Sequence, residues 1–292
     1  MIKAYSNPGY RVSINTIILN VILSVFKLLA GILGNSTAMI SDAVHSLSDV
    51  LSTFVVMLGL KLSNKKADEN HPYGHERMES IAAMILAAML FVTAIAIGYY
   101  GVLKILKFSE GESVTPGIIA LVAAIVSIVL KEWMYHYTKK VAKKINSTSL
   151  FADAWHHRSD AFSSIGSLIG IVGARMGLPI LDPIVSLFIC VVIIKVAYDI
   201  LRTSIAQIID TKAPDEIEEN IKEIINSFDQ VESIDVLKTR QFGNKIYVDI
   251  EFQINKNMPF EEVHSIVHCL HDAIELSNDS IKHCMIHANP TS

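Results

Sequence analysis

Residues 36–62, STAMISDAVHSLSDVLSTFVVMLGLKL, form an apolar run long enough to cross a bilayer, yet Asp42, His45 and Asp49 stand inside it. The octapeptide Asp42-Ala-Val-His-Ser-Leu-Ser-Asp49 returns as Asp153-Ala-Trp-His-His-Arg-Ser-Asp160 within a second such run, 150–176, and both copies read DAxHxxSD. On a helix, positions i, i+3 and i+7 lie within about 60° of one another, so each copy turns Asp, His and Asp toward one face. Ionisable groups in hydrocarbon are expensive unless they face a bundle interior and act there. Two matching triplets in separate apolar helices therefore point to a site rather than to scattered polar residues. His45 with Asp49 and His156 with Asp160, each pair at i, i+4, offer two imidazole nitrogens and two carboxylate oxygens, a tetrahedral donor set that suits Zn²⁺. Asp42 and Asp153 are read either as acceptors that orient a histidine N–H or as partners of helix-end groups.

Four further apolar runs, near 13–33, 81–106, 116–137 and 181–203, bring the expected number of spans to six. The first follows Arg11 without a small-x-small cleavage site and is read as retained. Of the 292 residues, 51% are hydrophobic and only 18% charged, too apolar for an ordinary soluble domain. Net charge −4, with basic residues at the ends of apolar segments, gives no nucleic-acid footprint. Lys3 and Arg11, then Lys65, Lys66 and Arg77, then Lys139, Lys140, Lys143 and Lys144 mark alternate loops as cytoplasmic, which puts both termini inside. Among other charges, Lys27 and Lys195 read as snorkelling, paired or cavity-facing, and Lys131 and Glu132 as lying near a membrane interface. None is assigned a role. Cys190, Cys269 and Cys284 suggest neither a disulfide framework nor paired zinc knuckles.

From Asp210 onward the composition turns soluble, which divides the chain into a six-helix membrane domain, 1–209, and a second domain, 210–292. Helical spacing over Glu216–Phe228, alternation over Ser233–Arg240 and Lys245–Ile254 about Gly243-Asn244, a helix over Pro259–Leu276 and a strand over Ile281–His287 predict an α-β-β-α-β order, a small α+β sandwich.

With HxxxD repeated at His45/Asp49 and His156/Asp160, the chain resembles the cation diffusion facilitator family over nearly its whole length. The resemblance implies six transmembrane helices, a ferredoxin-like, metallochaperone-like cytoplasmic domain, a homodimer, and those four residues as the transport site. It implies Zn²⁺ as transported substrate, exchanged for protons by alternating access, at the plasma membrane. An imidazole titrating near pH 6.5 lets metal and proton compete for His45 and His156. The family's second metal site, in a loop of the same Asp-x-x-His-x-x-x-His order, matches Asp68, His71 and His75; solvated loop histidines are the plain alternative. Arg77 and Asp210 match a salt bridge that ties membrane domain to dimer interface. In the soluble domain His264 and His287 match metal-ligand positions, with Asp235, Asp249, Glu251 and His283 as further candidates. Asp235 and Glu251 stand where close zinc transporters carry histidine, and Asn289 where they carry aspartate. His264, His268 and His271 share one helix face, and surface histidines without a role are the alternative there.

Within transport, Fe²⁺, Cd²⁺, Co²⁺, Ni²⁺ and Mn²⁺ compete with zinc for the same donors. An intramembrane hydrolase needs an open metal position and a base, and HExxH is absent. A metal receptor without transport leaves the duplicated motif unexplained.

Overall fold

The structure, a computed structural model, describes residues 8–33, 37–106, 118–175 and 180–291; the side chains of Asp42 and His45 lie outside that description. The chain forms two compact units, residues 1–204 and 205–292.

The first unit is six helices: α1 (Pro8–Leu33), α2 (Thr37–Ser63), α3 (Arg77–Leu106), α4 (Ile118–Lys144), α5 (Thr148–Arg175) and α6 (Leu181–Ala206). Helices suit these segments because hydrocarbon offers the backbone no partner outside its own chain. At 26 to 30 residues each they reach about 39–45 Å, beyond the roughly 30 Å of hydrocarbon. Helices α3 and α4 outrun the apolar stretches, starting at Arg77 and running on to Lys144, because backbone hydrogen bonding continues into water where hydropathy no longer signals it.

Among the described residues, Pro8–Ala30, Arg77–Leu103 and Pro183–Ala206 are long and apolar enough to span by composition alone. Helices α2, α4 and α5 also turn polar side chains inward. Asp49, Ser52 and Thr53 of α2, Ser127, Lys131 and Thr138 of α4, and Asp153, His156, His157, Ser159 and Asp160 of α5 are all buried. Leu47, Leu51, Phe54 and Leu58 on α2, and Val122, Val129 and Trp133 on α4, are exposed instead. Apolar side chains outward and polar ones inward are what a lipid solvent selects. Helix α5 packs on α2, α3 and α4, and Ile169 is the exposed large apolar side chain among its described residues. Where α2 meets α3, a Cβ added to Gly59 would lie 2.4 Å from the Cβ of Ala82, so only glycine allows the approach.

The second unit comprises α7 (Asp215–Asn226), β1 (Ser233–Phe242), β2 (Lys245–Ile254), α8 (Phe260–Ser277) and β3 (Ile281–Pro290). The sheet order is β1-β2-β3, with β1 antiparallel to β2 and β3 parallel to β2, so α8 serves as the crossover. Phe242 pairs with Lys245 across a two-residue turn in which Gly243 has φ 61°. Ile221 and Ile225 of α7 and Leu270 and Ile274 of α8 cover Val248, Ile250, Phe252, Ile254, Ile281 and Cys284 of the sheet. The opposite face of β2 carries Tyr247, Asp249, Glu251 and Gln253. In β1 the register shifts between Ile234 and Val236, and Asp235 is the extra residue of this bulge.

Candidate metal centre

In the first unit, the period of α5 stacks Asp153, His156, His157 and Asp160 on its buried side, and α2 brings Asp49 against them. One ligand atom each from Asp49, His156 and Asp160 falls within 4.8 Å of the others. His156 Nε2 lies 3.4 Å from Asp49 Oδ1. Zn–N and Zn–O bonds of about 2.0–2.2 Å place tetrahedral donors roughly 3.3–3.6 Å apart, a span that the 3.4 Å between His156 Nε2 and Asp49 Oδ1 matches. The fourth expected donor, His45, and the candidate Asp42 belong to α2, one and two turns before Asp49, but their side chains fall outside the described set.

Between the carboxylates stands Lys131. Its Nζ is 2.5 Å from Asp49 Oδ2 and 2.8 Å from Asp160 Oδ2, and the side chain is 1% exposed. Lys131, expected near a membrane interface, stands in the middle of α4 and faces the bundle interior. Arg158, its Nη2 3.6 Å from Glu132 Oε1, donates at 2.7 Å to Tyr135 Oη and lies over the Tyr135 ring. Lys27, also buried, donates to Ser46 Oγ at 2.8 Å rather than snorkelling.

Asp153 Oδ1 accepts from Thr53 Oγ1 at 3.2 Å, while its Oδ2 lies 3.6 Å from His157 Nε2. Asp153 thus stands beside His157, the histidine next to the motif position, without a hydrogen bond to its ring. Neither ring nitrogen of the buried His157 has a hydrogen bond among the described residues. An apolar-segment histidine doubled as His-His was the signal available for it.

The loop between α2 and α3 gathers Asp68, His71 and His75. The His71 backbone N–H donates to Asp68 Oδ1 at 2.9 Å, and His71 Nδ1 lies 3.0 Å from the same oxygen. His75, buried, places Nε2 3.5 Å from Asp68 Oδ2, with the two imidazoles 4.5 Å apart. Gly74 at φ 100° provides the turn that returns His75 to Asp68. The hydrogen bond from Lys65 and then that from His71 hold the Asp68 carboxyl well below the usual carboxylate range. Arg77 opens α3 in the first unit, and Asp210, at φ 57°, belongs to the second.

The second unit regroups the expected donors. His271 and Glu275 of α8 meet His283 of β3: His271 Nε2 is 3.0 Å and His283 Nδ1 3.3 Å from Glu275 Oε1, which also accepts from the Cys284 N–H at 3.1 Å. Asp272 Oδ1, 3.1 Å from His271 Nδ1, fixes the ring with its other nitrogen toward the cluster. Of the six candidates only His283 takes part. Asp235, displaced by the bulge, accepts from Gln253 Nε2 at 2.7 Å and Asn289 Nδ2 at 3.0 Å. Glu251 and His287 are register partners on neighbouring strands, Asp249 pairs with Met285, and exposed His264 stacks on Phe260. Burial first, and the Glu275 and Asp249 charges after it, push the Cys284 thiol up to about 12. It therefore stays protonated beside the cluster.

Residues 13–209 match the family model of the cation efflux transmembrane domain and residues 213–291 that of the cation efflux protein cytoplasmic domain. The chain is 34% identical over 274 residues to an uncharacterized transporter of Methanocaldococcus jannaschii, covering 94% of this chain and 95% of the relative. It is 30% identical over 287 residues to the manganese efflux system protein MneP of Bacillus subtilis, covering 96% and 95%. It is 29% identical over 272 residues to the magnetosome protein MamB of Magnetospira sp., covering 93% and 92%. A buried acidic and histidine cluster in a six-helix unit, followed by a small sandwich, is thus joined to matches that run through both units. The chain belongs to the cation diffusion facilitator family and is a multi-pass membrane transporter that exports divalent metal cations.

Proposed function

We propose that the chain carries Zn²⁺ out of the cytoplasm in exchange for protons, binding it at Asp49, His156, Asp160 and His45. The observation that carries this reading is the meeting of Asp49, His156 and Asp160 from two helices at one buried point. Two imidazoles and two carboxylates fill a zinc shell, and an imidazole changes charge near neutral pH, so protons arriving from outside compete with the metal for the same nitrogens. Basic loops on one side favour cytoplasmic termini, and the plasma membrane is proposed from the family resemblance. The second unit is proposed as the homodimer contact.

Manganese is the second reading, favoured by the printed name of the Bacillus relative and by carboxylate oxygens, which suit Mn²⁺. In the second unit the metal-sensing role falls better on His271, Glu275 and His283 than on Asp235, Asp249, Glu251, His264 and His287. The loop triad Asp68, His71 and His75 is proposed as an accessory site facing the cytoplasm.

The test is flux of zinc and of manganese into reconstituted vesicles, with and without an imposed proton gradient. Zinc flux that rises with the gradient is expected. Flux indifferent to the gradient would remove the antiport, and manganese flux without zinc flux would transfer the substrate.

A further inference from the structure

Lys131 is the one component of the membrane cluster that a metal site does not call for, since an ammonium has no lone pair to give. It nevertheless takes the central place. Its Nζ lies 2.5 Å from Asp49 Oδ2 and 2.8 Å from Asp160 Oδ2. A zinc ion would sit about 2.0–2.2 Å from each of those two oxygens. The two positions overlap, and both occupants are cations, so one excludes the other. Two buried carboxylates also cannot stand close together uncompensated without a large desolvation cost. The lysine supplies the missing charge when no metal is present, and its flexible four-carbon stem lets the ammonium withdraw without movement of α4.

Resting on the transport-site reading above, we propose that Lys131 is a tethered counter-cation: it holds Asp49 and Asp160 while the carrier is empty and is displaced, still charged, when the metal binds. Two functions follow from this exchange. The empty carrier crosses its conformational change with its carboxylates neutralised. The site also discriminates by charge, because a monovalent ion gains no more from the two carboxylates than the ammonium it must evict, whereas a divalent ion gains about twice as much.

The full-length protein in lipid nanodiscs decides the matter, with zinc as the probe. K131M is expected to bind zinc more tightly than the parent, on the order of tenfold or more, because a competing unit charge has gone. Its vesicle turnover should fall in parallel, and its zinc binding should become sensitive to added Na⁺ or K⁺. K131R, which keeps the charge, should bind and turn over like the parent. A folded K131M whose zinc affinity is unchanged or weaker overturns the proposal. Should K131M fail to fold, the parent protein serves: amine acylation followed by mass spectrometry is expected to modify Lys131 faster with zinc than without, relative to Lys27, and equal rates overturn it. Asp49→Ala separates the two levels, since zinc flux surviving that change removes the transport site itself, whereas flux lost there with K131M unaltered removes only the role of the lysine.

Discussion

Two clusters of similar donors occupy opposite environments in this molecule. Asp49, His156 and Asp160 are buried between helices, with a lysine on the two carboxylates, whereas His271, Glu275 and His283 are partly exposed and hold one another. Two buried carboxylates are costly without a neighbouring cation, and Lys131 supplies one to Asp49 and Asp160. At the surface of the second unit water screens the charges, and the cluster stands empty at little cost. On the readings proposed above, burial makes the membrane cluster an exchanger of cations, and exposure leaves the surface cluster an optional sensor.

The largest effect that would break this contrast is loss of a membrane carboxylate. Asp49→Ala should reduce zinc flux at least about a hundredfold, since breaking a buried charge cluster forfeits several kcal/mol. His283→Ala should leave flux within about threefold, so equal losses from the two changes would erase the distinction between the clusters. Next in size is a change of stability confined to the second unit. Phe252 is fully buried beneath α7 and α8, and Phe252→Ala should cost about 3–5 kcal/mol in denaturant unfolding followed there by circular dichroism.

Smaller still is the effect on surface metal. His283→Ala or His271→Ala should weaken zinc binding to the second unit by about 10-fold to 100-fold, measured by calorimetry on the full chain carrying Asp49→Ala. Asp235→Ala should leave that affinity as it is, and the reverse ranking would return the site to the bulge. Thiol chemistry sharpens the local picture: Cys269 is exposed and Cys284 buried with its thiol pushed up to about 12, so maleimide at pH 8 should label Cys269 at least about tenfold faster.

The smallest effect concerns Asp68, whose folded carboxyl is depressed by Lys65 and His71. A depressed acid stabilises the folded loop above the ordinary carboxylate range and loses that contribution as pH falls below about 4. Limited proteolysis of the loop should accelerate only there, and acceleration near pH 6 would transfer the cause to the histidines.

Much of the membrane cluster was legible because a helix repeats its own face: Asp49, His156 and Asp160 could be grouped from a duplicated spacing. Lys131 could not, because its partners stand in other helices, Asp49 as far as 82 residues away, and one lysine in an apolar run carries no periodic signal. The second unit shows the converse. Its elements were readable from alternation and turn residues, but ligand positions matched by resemblance took no account of a bulge at Asp235 or of Gln253 and Asn289 occupying that carboxylate. His271 and Glu275 stood one turn apart in plain view, and only the parallel pairing of β3 with β2 brings His283 to them.

The contact between Gly59 and Ala82 has a mechanical consequence. Helices without slack between them act as a single lever, so any tilt of α2 carries the start of α3 along with the end of α2. The segment bearing Asp68, His71 and His75 bridges two ends of that lever rather than a joint. Its three donors would keep their spacing through any such tilt, like a bracket on a rocker arm, and an ion seated there would be neither gripped nor released by it.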